Sequence, residues 1–141
     1  MTKNNKTFII QYDPTATPRE MFRGFWEAVD KEKRYIQPKN LMVVDSIETV
    51  YRIMTEPRLE IFYAISEKKP TSLNQLAEVL GKDAANVWRD CQVLANLGVI
   101  KLKKGEKEVQ PVALYDRIVF DFPNREVFRQ KSGRIVLAVG H

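Results

Sequence analysis

Five residues on one short stretch, Ala85, Asn86, Trp88, Arg89 and Gln92, combine small, amide, aromatic and guanidinium side chains at helical spacing. Asn86, Arg89 and Gln92 are types that bond base edges or phosphate oxygens, and a small residue such as Ala85 lets a backbone approach a groove. Shortly after them Lys101, Lys103, Lys104 and Lys107 crowd one segment whose chemistry is phosphate neutralisation. Plainer readings stand beside these. Arg89 can pair with Asp90 or another nearby carboxylate, Trp88 can pack against its own fold, and lysines on a strand discourage edge pairing. Glu106 and Glu108 dilute the lysine patch and count against deep entry into a groove.

The elements that must position these groups are legible from caps and apolar spacing. Asp45 with Glu48 reads as a capping box opening a helix with Ile47, Val50, Tyr51 and Met54. Thr55-Glu56-Pro57 starts another, with Leu59, Phe62 and Ile65 inward, and Lys69-Pro70 stops it. Ser72, with Gln75 three residues on, opens a short helix Leu73–Leu80 that Gly81 ends. Asp83 caps a longer helix, Ala84–Leu97, stopped by Gly98. On it Val87, Cys91 and Leu94 point to the core, so Ala85, Arg89, Gln92 and Asn96 are expected on the opposite face. Val99–Lys104 alternates as a strand, Gly105-Glu106-Lys107 turns it, and the return carries Pro111, a mark of an edge or a bend. Ile118, Phe120 and Phe122 then alternate, and are expected to point inward up to Pro123.

Ahead of these elements, Thr7–Tyr12 and Leu41–Val44 read as short strands expected to pair with each other. Thr17-Pro18-Arg19-Glu20 caps a helix between them with Met21, Phe22, Phe25, Trp26 and Val29 on one face. That face is expected to lie across the two strands. What remains of it, Phe22, Phe25, Trp26 and Val29, is the candidate surface for a homodimer.

Composition bounds the rest. The chain has 141 residues with 44% hydrophobic and 29% charged, which is ordinary for a globular fold and excludes wholesale disorder. The formal charge of +5 is unevenly spread. Residues 1–45 carry 8 Lys/Arg against 6 Asp/Glu, residues 46–123 carry 11 against 11, and residues 124–141 carry 4 against 1. Net charge is therefore a weak argument for any partner, and the position of each lysine matters more. With one cysteine (Cys91) and one histidine (His141), neither a disulfide framework nor a zinc site is expected. No nucleophile–base pair, carboxylate dyad or glycine-rich phosphate loop stands out, so neither catalysis nor a cofactor is expected. Apolar runs are too short to span a membrane and no signal peptide is visible, so the expected location is the cytoplasm.

Three helices, a glycine between the short second and the longer third, and then a two-stranded hairpin give the order of a winged helix-turn-helix. The stretch Asn86-Val87-Trp88-Arg89-Asp90, then Leu94 and Leu97-Gly98-Val99, resembles the winged helix-turn-helix transcriptional regulators of prokaryotes, which are MarR-like. Tyr115-Asp116-Arg117-Ile118, ending in Asp121-Phe122-Pro123, is similar to the closing strand of one subgroup, in which a strand–helix–strand segment precedes the winged helix. Members of that subgroup resemble antitoxins of toxin–antitoxin pairs, some repressing their own operon. The chain departs from the pattern at Thr55-Glu56-Pro57, where Thr-Pro is usual, and at Lys82, where Arg is frequent. Its tail, Asn124–His141, has no counterpart in the subgroup.

The expected fold class is α+β, with residues 1–45 as a strand–helix–strand segment, 46–123 as the winged helix and 124–141 as a tail able to add a strand to a partner. The expected function is sequence-specific binding of double-stranded DNA by a homodimeric autorepressor, with a toxin protein as a further partner. The alternative is a protein-interaction module that uses the same scaffold without touching DNA, since fold alone does not fix function.

Overall fold

The computed structural model describes residues 6–15, 26, 29–30 and 40–124. The chain is of the α+β class. Among the described residues it has four helices and two small sheets. In chain order these are β1 (Thr7–Tyr12), β2 (Leu41–Val44), α1 (Ile47–Ile53), α2 (Glu56–Lys68), α3 (Leu73–Leu80), α4 (Ala84–Leu97), β3 (Ile100–Lys104), β4 (Val109–Ala113) and β5 (Arg117–Asp121).

Each helix begins where a short oxygen-bearing side chain takes up an orphan backbone N–H. Ser46 caps α1 by accepting from Thr49 N at 3.2 Å, so the cap stands one residue beyond the expected Asp45. Thr55 caps α2 and Ser72 caps α3, where Gln75 Oε1 also accepts from Thr71 N at 2.7 Å. Asp83 caps α4 through Asn86 N at 3.2 Å. Two helices end on glycines in the left-handed region, Gly81 at φ 67° and Gly98 at φ 102°. A side chain is strained in that conformation, and both turns are closed by backward bonds, Lys82 N to Ala77 O and Val99 N to Leu94 O. The turn at Gly81 is what lets α4 set off at a new angle to α3.

The expected pairing of the first two strands is present, and it is parallel: Ile9 lies opposite Leu41 and Tyr12 opposite Val44. Parallel neighbours need a crossover between them, which the intervening residues supply. Trp26, Val29 and Asp30 of that crossover are helical, and Val29 is buried in the core. Less expected is the fate of β5. It does not extend the hairpin sheet; it returns to the start of the chain and pairs parallel with β1, giving the order β2-β1-β5. Asp116 N donates to Lys6 O at 2.7 Å, and Lys6 N donates back to the Asp116 carboxylate at 3.1 Å, fixing the register. The first and last described strands thus lie side by side.

One face of this sheet (Phe8, Ile10, Met42 and Val44) joins Ile53, Ile61, Ile65, Leu76, Val87, Cys91, Leu94 and Leu97 in a single buried cluster. Burial fades across β5, which corrects the expected inward row. Ile118 is half-buried, while Phe120 and Phe122 are 39% and 53% exposed, because among the described residues β5 is the margin of the sheet.

The helices are locked to each other by Arg58. Its Nε donates to Asp90 Oδ1 at 3.0 Å, and one terminal nitrogen donates to the carbonyls of Arg52 and Ile53 at 2.7 and 2.8 Å. One side chain of α2 therefore ties the end of α1 to the middle of α4. Removing one partner of a largely buried pair leaves a stranded charge and open carbonyls, at a cost of about 2–4 kcal/mol. Arg58→Ala should lower the unfolding free energy by that amount in urea titrations, and Asp90→Asn by less, since the two carbonyl bonds survive.

Candidate nucleic-acid interface

Helix α4 divides into two parts. Over its first two turns Ala84, Ala85, Asn86 and Arg89 are exposed, Trp88 and Asp90 are half-buried, and Val87 is buried. From Cys91 to Leu97 every residue but the half-buried Ala95 is buried. The cause is the surroundings: the C-terminal half runs between α2, α3 and β3 and is covered on all sides.

The expected outward stripe therefore stops early. Val87, Cys91 and Leu94 are 1%, 0% and 0% exposed, as their spacing predicts, but Gln92 is only 8% exposed and Asn96 2%. Asn96 Nδ2 donates back to Gln92 O at 2.8 Å, which turns it along the helix instead of outward. Gln92 consequently drops out of the accessible surface. Ala85, Asn86 and Arg89 stay on it, and Trp88 packs partly against the core.

Arg89 has a partner that the sequence did not single out. Its guanidinium lies 3.2 Å from Asp30 Oδ1, with the two side chains 49% and 66% exposed. The neighbouring Asp90 is taken by Arg58, so the local Arg89–Asp90 pairing does not form. Close by, Arg52 sits over the Trp26 ring at 5.7 Å from its centroid, a cation–π contact. Two residues of the crossover thus reach basic side chains of α1 and α4. An exposed pair such as Arg89–Asp30 contributes about 0–1 kcal/mol and is screened by salt, so an anionic ligand can displace it.

The lysines lie on a hairpin with a defined register. Strand β3 pairs antiparallel with β4, with Lys101 opposite Val112, Lys103 opposite Gln110 and Lys104 opposite Val109. Gly105 N closes the turn on Glu108 O at 2.7 Å, and all four lysines are exposed together with Glu106 and Glu108. Pro111 is buried opposite Leu102, in a strand whose other side meets no described strand, as a proline requires. Gln110 Nε2 donates to Pro70 O at 3.2 Å, anchoring the hairpin to the loop before α3. An open cleft there is lined by Thr71, Lys103, Lys104, Lys107 and Gln110 together with the acidic Glu106 and Glu108.

Of the candidate dimer residues, Phe22 and Phe25 lie outside the described residues, as does the tail from residue 125 onward. Val29 is 2% exposed and belongs to the core of its own chain, which removes it from a contact surface. Trp26 is half-buried against the same core. No group of three or more His, Cys, Asp or Glu residues suited to a metal ion occurs among the described residues. No helix among them is long and apolar enough to cross a membrane.

The model of the family HVO_A0114 matches residues 53–120. That span runs from the end of α1 into β5 and contains both the exposed turns of α4 and the lysine hairpin. No curated protein and no solved structure matches the chain.

Cys91 sits at the middle of α4 without exposure, and burial, followed by the negative charge of Asp90, pushes its thiol up to about 12. In the folded chain it should resist thiol reagents at neutral pH and react only on unfolding. Its proton is held more tightly folded than unfolded. Its contribution to stability is therefore constant below the unfolded value of 9.0 and falls between there and about 12, by about 1.4 kcal/mol per pH unit. Urea titrations at rising alkaline pH, compared with Cys91→Ala, measure that slope.

Proposed function

We propose that this protein is a DNA-binding transcriptional regulator of the winged helix-turn-helix kind. In this reading α3 braces α4, the first two turns of α4 enter the major groove, and the β3–β4 hairpin is the wing that meets phosphates. The observation that carries it is the division of α4. Its first two turns leave Ala84, Ala85, Asn86 and Arg89 exposed while its second half is buried, so the end of the helix that is free to meet a partner is the N-terminal one. Recognition helices work this way round, reading base edges from their N-terminal residues. Small side chains at the start permit close approach, and Asn86 and Arg89 carry the types that discriminate bases.

The hairpin supports the same reading, with four exposed lysines beside a turn that is pinned to the loop before α3. The resemblance to self-repressing antitoxins extends it to a homodimer acting on its own operator, with a toxin protein as further partner and the cytoplasm as its location. One observation favours the second reading, a protein-interaction module: Arg89 is already matched by Asp30, and residues 46–123 carry no net charge.

Electrophoretic shift with the protein's own upstream DNA and a scrambled competitor separates the two readings. Arg89→Ala should weaken operator binding by about 1–3 kcal/mol and relax preference at one base position. Asp30→Asn should do the reverse, tightening binding several-fold, and should have no effect in the Arg89→Ala background. Unchanged affinity in both single variants would take Arg89 out of the interface.

The wing gives a separate measurement. Replacing Lys103 and Lys104 together by Gln should weaken binding equally on operator and scrambled DNA. It should also flatten the log–log salt dependence by roughly one unit per lost phosphate contact. A double variant with the parent's salt slope would exclude the hairpin from phosphate contact.

A further inference from the structure

Strand β5 is the outer strand of the β2-β1-β5 sheet and pairs with no other strand among the described residues. Its sequence is Arg117-Ile118-Val119-Phe120-Asp121, with Val119 38% and Phe120 39% exposed, and Phe122 just beyond it 53% exposed. The devices that blunt such an edge include short length, charged side chains (lysine above all), a proline, a bulge or a covering segment. β3 has its lysines; the middle of β5 carries only apolar side chains.

We propose that β5 pairs antiparallel with β5 of a second copy of this chain, about a two-fold axis through Val119. The charge pattern selects both the partner and the register. Reversed against itself and centred on Val119, the strand sets Arg117 opposite the partner's Asp121 at both ends. Between them Ile118 meets the partner's Phe120, and Val119 meets its own equivalent. Centring on Ile118 instead sets Phe120 against the partner's Asp116, and centring on Phe120 sets Asp121 against the partner's Val119. Only one two-fold register satisfies both charges.

The sheet already orients the groups for this. Gln11 Nε2 donates to Asp121 Oδ2 at 3.1 Å from the β1 side, holding that carboxylate in place. Among the described residues Arg117 has no ion-pair partner. The result is an isologous, six-stranded sheet running β2-β1-β5 and then β5-β1-β2. Ile118 and Phe120 of the two copies continue the apolar face begun by Phe8 and Ile10. A five-residue edge is small for an interface, so the dimer dissociates on dilution. The inference goes beyond the DNA-binding reading and does not depend on it.

Sedimentation equilibrium of the full chain tests it. The wild type should be a reversible dimer. R117D gives a strand acidic at both ends and D121R one basic at both ends, so each alone should be monomeric where the wild type is dimeric. An equimolar mixture of the two should recover the dimer, and so should the double exchange R117D/D121R. Three outcomes would each overturn the proposal: a wild type monomeric at every concentration, with the edge open or covered by the chain's own remaining residues; single reversals that leave the dimer intact; or a mixture that stays monomeric. Should a reversal unfold the chain, cross-linking decides. Val119→Cys, facing itself across the axis, should oxidise to a covalent dimer, and Arg117→Cys should not; the native Cys91 is buried and does not interfere. Equal cross-linking of both variants, or of neither, would also overturn it.

Discussion

The arrangement of the helices depends on one side chain meeting three acceptors. Arg58 draws together the last carbonyls of α1 and the Asp90 carboxylate of α4, with the two charged side chains only 13% and 24% exposed. A guanidinium serves here because its planar fork presents several donors in fixed directions. Lysine has a single nitrogen and could not stand both at the two carbonyls and at Asp90, which meet different nitrogens of the guanidinium. Since Asp90 follows Arg89 directly, the bond that secures α4 also fixes how the helix is rotated. With Asp90 turned toward α2, Arg89 must point about 100° away, toward solvent and Asp30. The outward direction of the candidate contact residue is a consequence of an inward ion pair one position along.

Adjacent residues of α4 thus make the same type of pair with opposite consequences. Arg58–Asp90 is largely shielded from water and tied into two further hydrogen bonds; Arg89–Asp30 is open to water on both sides. The first contributes to stability and is costly to break; the second contributes little and is easily exchanged. Exposure, not the identity of the residues, separates a structural pair from one that a phosphate can replace. A net charge of zero over residues 46–123 is a sum over the whole span, and pairs such as Arg58–Asp90 and Lys82–Glu60 remove one charge of each sign from it, so the placement of the remaining charges decides the local field. Asp90 is spent on Arg58, Glu60 accepts from Lys82 at 3.1 Å, and Asp83 and Asp116 hold backbone N–H groups. The lysines of the hairpin have only Glu106 and Glu108 against them locally.

Local chemistry made most of the element order legible. Thr55, Ser72, Asp83, Gly81 and Gly98 act within a turn of where they stand, so their roles follow from neighbouring residues alone. Asp45 and Ser46 are both competent caps by residue type, and it is Ser46 whose hydroxyl meets Thr49 N. What the sequence could not convey was how far the rest of the fold wraps α4. Gln92 and Asn96 sit at positions that a single amphipathic helix would leave in water, and only the packing of α2, α3 and β3 around the second half buries them. Nor was the return of β5 to β1 legible, since strand partners more than a hundred residues apart leave no mark on local spacing. The alternation of Ile118, Phe120 and Phe122 correctly gave their common face; it could not say that this face lies at the sheet margin.

The return of β5 also explains why the ends of the described chain are held as they are. A parallel pair forms only if its strands are brought together by a long connection, so the β1–β5 pair rests on the elements that lie between them. The benefit is a shared core, with Phe8 and Ile10 packing on the same buried cluster as Cys91 and Leu94 and Tyr115 edge-on to Phe8 at 5.5 Å between ring centroids. The consequence is a new margin. Adding β5 covers one side of β1 and exposes the outer side of β5, with its apolar centre and oppositely charged ends. A sheet extended by one strand transfers its unsatisfied edge to that strand, and the residues chosen there determine what comes next to it. Lysines, as on β3, would have kept other strands away; the arrangement of Arg117 and Asp121 repels neither sign and is complementary to its own reverse.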